Sequence, residues 1–260
     1  MIFRNISKNC KKPILGTKYE NKFMKNIRKI YLFLCFFLCL ISCSKITPKG
    51  EIELKDVSVG KFTNLDLEGN YKVFFVKGLQ NLVSVETYPN IFKNLDIKVE
   101  NSTLHIKENR NAEKVPFYTI TIFGNQDPTS ITLHNRVEFN ISGLVQSPKF
   151  SLFLDGNSKF LGAVNTESAQ IAMAQKTNAN ILGKTANLNL KLADSASIVA
   201  PYFEVENLEI NEKNDAFAGI NVGNEMKGTL ENTSKLIFYG EPVNNLVKKD
   251  KSSVENGKLR

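Results

Sequence analysis

Few side chains in this 260-residue sequence could do more than hydrogen-bond or pair charges. The two histidines, His105 and His134, stand in TLHIK and TLHNR. His105 lies in an alternating stretch where Leu104 and Ile106 face inward, so it faces out. His134 reads as part of a turn. A zinc site needs several His, Cys, Asp or Glu ligands together. Neither histidine has such neighbours at metal-type spacing, so both read as satisfied or solvated. No Ser-His-Asp order, phosphate-binding glycine loop or HExxH motif appears. Asp155, Asp194 and Asp215 fall near expected corners, but not in one column. They read as turn residues, because the glycine-rich nonapeptide of calcium-binding solenoids is missing. No catalytic, cofactor-binding or metal-ligating residue is therefore assigned.

The remaining reactive groups are thiols at Cys10, Cys35, Cys39 and Cys43. Ile30 to Ile41 is an almost unbroken apolar run, preceded by the basic KNIRK at 25–29 and ended by Leu40-Ile41-Ser42-Cys43. A basic stretch, a short apolar run and small residues make the plan of a secretory signal peptide. The run falls short of the roughly 20 residues needed to span a bilayer. Its end resembles a bacterial lipobox, in which the thiol takes a diacylglycerol and the chain is cut just before the cysteine. Ser42 and Cys43 are the expected cleavage residues and Cys43 the expected lipidation site. Cys35 and Cys39 act there as small hydrophobes. The alternatives are an ordinary signal peptide with an incidental cysteine, or a buried apolar helix. A start at Met24 would give a signal of usual length, leaving residues 1–23 as upstream read-through.

Removing the leader changes the charge argument. The whole chain carries a formal charge of +8, which invites a nucleic-acid partner. Nine of the 34 basic residues and one of the 26 acidic ones lie in 1–43, leaving 25 of each sign. The exported portion is neutral, and nucleic acid drops out. It also has no cysteine except Cys43. No disulfide can form within it, and stability must come from burial and hydrogen bonding.

The elements that position everything else read in period two. NLDLEGNYKVFFV, FYTITIF and NLNLKLADS alternate apolar with polar residues, punctuated by Asn, Asp, Gly and Ser, as half-buried strands do. Helical periodicity is absent, so the chain is all-β. From residue 130 the pattern repeats. Phe139, Phe160, Ile181, Ile198, Phe217 and Leu236 form an apolar column. Arg136, Asn157, Asn178, Ser195, Asn214 and Thr233 form a polar one, and Val137, Ser158, Ala179, Ala196, Asp215 and Ser234 a mostly small one. A period of about twenty residues built from short strands predicts a β-solenoid, parallel β-helix-like, whose stacked coils bury what no coil buries alone. A β-sandwich with regularly spaced strands is the alternative. The organisation expected is a leader over 1–43, a polar tether over 44–56, the solenoid over 57–243 and a disordered polar tail over 244–260. Val57 to Gly78 is the expected end cap.

NYKVFFVKG from Asn70, LDIKVENSTLHI from Leu95, the repeated coils and FYGEP from Phe238 occur in an order that resembles the head GIN domain family of auto-transporter adhesins, exported proteins of Bacteroidota. The resemblance covers roughly Val57 to Val243. The family's turns usually read Ser-Gly-Ser-Gly, whereas here they read DGNS, KTNA, DSAS and NTSK. The resemblance implies a β-solenoid and a lipoprotein or secreted location, and carries no catalytic residues. Asp194-Ser195-Ala196 resembles the O-glycosylation motif of the same bacteria, which makes Ser195 a candidate modification site. The expected role is a lipid-anchored adhesin or binding module of the outer membrane, with a glycan or envelope-protein ligand. The alternatives are a structural lipoprotein facing the periplasm and, with less support, a carbohydrate-active β-helix enzyme. No acidic residue precedes Glu51 after Cys43, which favours the periplasmic face over the cell surface.

Overall fold

Alternation becomes structure residue by residue. In β2 (Asn64–Gly69), Leu65 and Leu67 are buried while Asn64, Asp66 and Glu68 are half-buried. The computed structural model describes residues 45–258. Ser42, Cys43 and Met24 lie outside the described residues. Sixteen strands join in one sheet, wound as a β-solenoid of about seven turns with ~19-residue coils.

The regular half is made of five long strands: β9 (Glu138–Leu154), β10 (Lys159–Met173), β11 (Asn178–Leu192), β12 (Ser197–Glu212) and β13 (Phe217–Leu230). Each pairs in parallel with the next. Each also bends, and in β9, β10 and β11 the bend shows as a single change of parity. In β10 the buried positions are 160, 162 and 164, then 169, 171 and 173. The chain turns a corner at Thr166 to Ser168 and keeps its apolar residues inside by shifting phase.

A second corner closes each coil. Asn135, Gly156, Gln175, Asp194, Asn214, Asn232 and Asp250 all take positive φ, between 57° and 72°. Asn and Asp tolerate this region better than other side chains. Gly156 is needed outright, because a Cβ there would lie 2.5 Å from the Asn135 carbonyl oxygen. Side chains then link corner to corner. Gly156 N–H donates to Gln175 Oε1 at 2.7 Å, and Gln175 N–H to Asp194 Oδ2 at 3.2 Å. Asn214 Nδ2 donates to Asp194 Oδ1 at 3.0 Å, and Asn232 Nδ2 to Asn214 Oδ1 at 2.8 Å. Two residues on, Ser158, Thr177, Ala196, Ala216 and Ser234 point inward in a small column. The Ser158 and Thr177 hydroxyls donate to carbonyls three residues back.

The register corrects two coils of the expected columns. Phe160 pairs with Phe139 and Ala179, and Ile198 with Ala179 and Ala218. The apolar column therefore runs Phe139, Phe160, Ala179, Ile198, Ala218, Leu236. Ile181 lies opposite Gly162, and Phe217 opposite Ser197. The misassignment came from seeking a large residue at every level. A close-packed core accepts Ala wherever neighbouring coils supply bulk, here the stacked rings of Phe139 and Phe160, 6.1 Å apart.

The amino-terminal half is not wound in sequence order. β2 and β3 (Lys72–Lys77) form one coil. β6 (Thr103–Glu108) and β7 (Thr119–Gly124) stack on one side of it. β8 (Ser130–Asn135) and the start of β9 stack on the other. The first coil made is thus an inner one. The end is capped by antiparallel strands: β4 (Leu82–Thr87) on β7, β1 (Glu53–Ser58) on β4, and β5 (Leu95–Glu100) on β6. Of the expected cap, Val57 and Ser58 belong to it, while β2 and β3 lie inside. The cap covers edges that would otherwise present unpaired backbone groups.

Both ends are more ordered than composition suggests. The expected disordered tail instead forms a final coil, with β15 (Val243–Lys248) on β13 and β16 (Ser253–Asn256) on β14 (Lys235–Tyr239). Backbone pairing needs no apolar side chain at every second position, so a lysine-rich strand can still close the stack. The tether is pinned as well. Ile46 exchanges backbone hydrogen bonds with Asn111 and Glu113, and Asn90 bonds both Lys49 N–H and the Thr47 carbonyl at 2.8 Å.

Candidate functional site

At the bend of the long strands the outer surface folds inward into a cleft of about 970 Å³. Its walls repeat with the coils. Gln146, Asn165, Lys184, Glu204 and Asn221 stack in register along one side. Glu167, Glu206 and Asn224 stand on the other. With neighbouring strands about 4.8 Å apart, five coils give a channel about 20 Å long. Along its floor Ser147, Thr166 and Thr185 donate their hydroxyl protons to carbonyls two residues ahead, at 2.7 to 3.1 Å. That leaves the half-buried Ser147 and Thr166 oxygens free to accept, while Thr185 is buried. Asn165 Oδ1 accepts from Lys184 N–H at 3.1 Å, which fixes that amide. The cleft thus offers fixed amides, hydroxyl acceptors, carboxylates and a lysine along one line. It suits an elongated polar ligand.

The two histidines come together, which their spacing did not show. β2 lies between β6 and β8, so Asp66 reaches both neighbours. His105 Nδ1 is 2.9 Å from Asp66 Oδ2, and His134 Nε2 is 3.4 Å from Asp66 Oδ1. His134 Nδ1 is 2.7 Å from Asp155 Oδ2. A four-residue chain, Asp155–His134–Asp66–His105, runs from the turn after β9 across β8, β2 and β6. Among the described residues no three His, Cys, Asp or Glu side chains are arranged to hold a metal ion. His105 faces outward in β6, as its alternation indicates; His134, expected in a turn, lies within β8. Asp155, Asp194 and Asp215 occupy three successive corner positions rather than one column. Ser195 is exposed on the corner after Asp194.

A second groove, of about 600 Å³, runs over β8 to β13 beside the positive-φ corner. His134 and Asp155 stand at one end, Lys191, Lys213 and Glu231 at the other, and Ala172, Ala174 and Ala193 between them. Glu212 also lines it. This residue replaces an aliphatic one in the inward column Leu154, Met173, Leu192, Glu212, Leu230. It is 1% exposed, and neither carboxyl oxygen has a hydrogen-bond partner. Burial pushes its pKa from 4.5 up to about 8, because a charge there would lack water. The sequence carried a signal for both grooves. Parity flips mark the bend, and a Glu at an inward position of LEINE marks the buried acid.

The fold and its cleft define a class: a parallel β-solenoid that presents repeated polar ladders on its outer surface. The sequence profile of the family described as "Putative auto-transporter adhesin, head GIN domain" matches residues 61–242. The chain belongs to that family. A crystal structure of a "putative adhesin" from Bacteroides fragilis superimposes with a TM-score of 0.76 at 13% identity, covering 81% of this chain and 99% of the other. A "putative adhesin" from Parabacteroides distasonis gives 0.67 at 12% identity, with 82% and 100% covered. A "putative lipid binding protein" from the same species gives 0.64 at 14%, with 83% and 100% covered. At such identities these likenesses establish the fold. No curated protein matches the sequence. Among the described residues no helix is long and apolar enough to cross a membrane.

Proposed function

We propose that this protein is a non-enzymatic binding or adhesion module of the cell envelope, anchored in the outer membrane through a lipid on Cys43. The long polar cleft carries the reading. A polar or charged side chain recurs once per coil, so an extended polar polymer lying along the solenoid axis can be contacted at every level. A glycan chain or an envelope protein fits that description. The family's adhesin description and the Bacteroides and Parabacteroides structures support an envelope setting. The absence of an acidic residue between Cys43 and Glu51 favours the periplasmic face.

The first experiment is protease digestion of intact cells beside lysed cells. Protection until lysis is expected, and digestion of intact cells would move the protein to the surface. The mature mass should carry a diacylglyceryl group that Cys43→Ser removes. A further mass increment lost in Ser195→Ala would establish glycosylation at that corner. For the cleft, a glycan array probed with the protein and with a Lys184→Glu, Asn165→Ala variant separates specific binding from none. Equal signals from both would sink the cleft as the site.

A further inference from the structure

The groove over β8 to β13 differs in chemistry from the cleft, and its occupant is independent of the cleft's ligand. Its middle is apolar and shallow-walled. Ala172 lies in register with Phe153 on one side and Lys191 on the other. Ala174 and Ala193 continue that small surface at the corner. Phe153, Ala172, Ala174 and Ala193 are each half-buried, so a strip three coils wide is open to a ligand.

The charges around this strip are not balanced. Asp155 is held by His134 at 2.7 Å and Glu231 by Lys249 at 2.6 Å. Among the described residues neither Lys191 nor Lys213 has a carboxylate within ion-pair distance. Two unpaired ammonium groups therefore flank one end of an apolar strip. Beneath them, on the inner face of β12, lies Glu212, a buried carboxyl with both oxygens unpartnered. With its pKa raised to about 8, Glu212 is protonated near neutral pH. An uncharged carboxyl on the inner face does not repel an anion held on the outer one.

We propose that this groove binds a single anionic amphiphile. A carboxylate or phosphate head is held at Lys191 and Lys213 above Glu212, and an acyl chain lies along Ala193, Ala174, Ala172 and Phe153. Apolar contact supplies most of the affinity and the two lysines select the sign of the head.

Residues 45–260, which carry the whole described core, are titrated calorimetrically with oleate, dodecyl phosphate and dodecyltrimethylammonium. One-to-one binding of the two anions and none of the cation is expected. The double variant Lys191→Glu, Lys213→Glu should weaken anion binding at least about tenfold, with unchanged circular dichroism. Ala172→Gln, which fills the strip without touching charge, should weaken it similarly. Co-sedimentation with phosphatidylglycerol vesicles separates the two sources of such a head. Vesicle binding lost in the double variant means a bilayer lipid, and oleate binding without vesicle binding means a free acyl anion. The proposal is overturned if neither anion binds saturably, if the cation binds equally well, or if the charge-reversed variant binds the anions as tightly.

Discussion

Residues 53–135 and 138–256 build the same kind of coil by different routes. The second region adds each coil beside the one before, at spacings of 18 to 21 residues in the Phe160 column. The first region places its earliest coil, β2 and β3, between two coils made later. In the regular region stability should be close to a sum of nearest-neighbour terms. In the first, an inner coil depends on partners some 35 and 65 residues away in sequence, so it should assemble as a unit. The two regions also each bury one glutamate. Glu108 has the Ala112 N–H at 3.4 Å, with the Asn70 N–H and the Tyr118 hydroxyl close by, which offset part of the rise that burial causes. Glu212 has burial alone and no partner.

The sharpest break of this comparison is a matched pair of cavities. Leu67→Ala should cost about 4 kcal/mol and lower amide protection in β6 and β8 together, whereas Leu190→Ala should cost about 3 kcal/mol. Native-state hydrogen exchange checks this. Protection lost in the first region from the Leu190 variant would mean that the halves are not separate. Gly156→Ala should cost about 2–3 kcal/mol in urea melts, from left-handed backbone strain plus the clash with Asn135. No loss would show that the corner can shift.

Glu212→Leu should raise stability by about 2–3 kcal/mol at pH 9 and change it little below pH 4.5. The sign follows from the raised pKa. The folded state keeps the proton to about pH 8 while the unfolded chain releases it near 4.5, so stability is full below 4.5 and falls as pH climbs toward 8. Glu108→Gln should show the same direction with a smaller pH-dependent change. Equal slopes in urea titrations at several pH values would erase the distinction between the two acids. Asn214→Ala removes two amide bonds of the corner ladder and should cost about 1 kcal/mol. Lys107→Met, which breaks an exposed pair with Glu68, should change melting by less than about 0.5 kcal/mol.

Much of this was readable in the chain. Alternation set each strand's inner face, and the near-twenty-residue repeat placed the Asn- and Ser-rich corners. The register failed at Ala179 and Ala218, where small residues hold places in an apolar column. The cleft's position was written in the parity shift at Thr166 to Ser168. The pairing of its walls was not, because register between strands is a property of two segments at once.

The sequence by itself determined an all-β solenoid, and equal numbers of basic and acidic residues over 44–260. Those follow from side-chain period and local composition, which need no partner to be read. Only the tertiary structure decided that β2 lies between β6 and β8, that Asp66 therefore joins both histidines, and that the lysine-rich end closes a last coil. The physical reason is that a parallel strand draws its hydrogen bonds from whichever edge is free when it arrives. No local pattern records which edge that is.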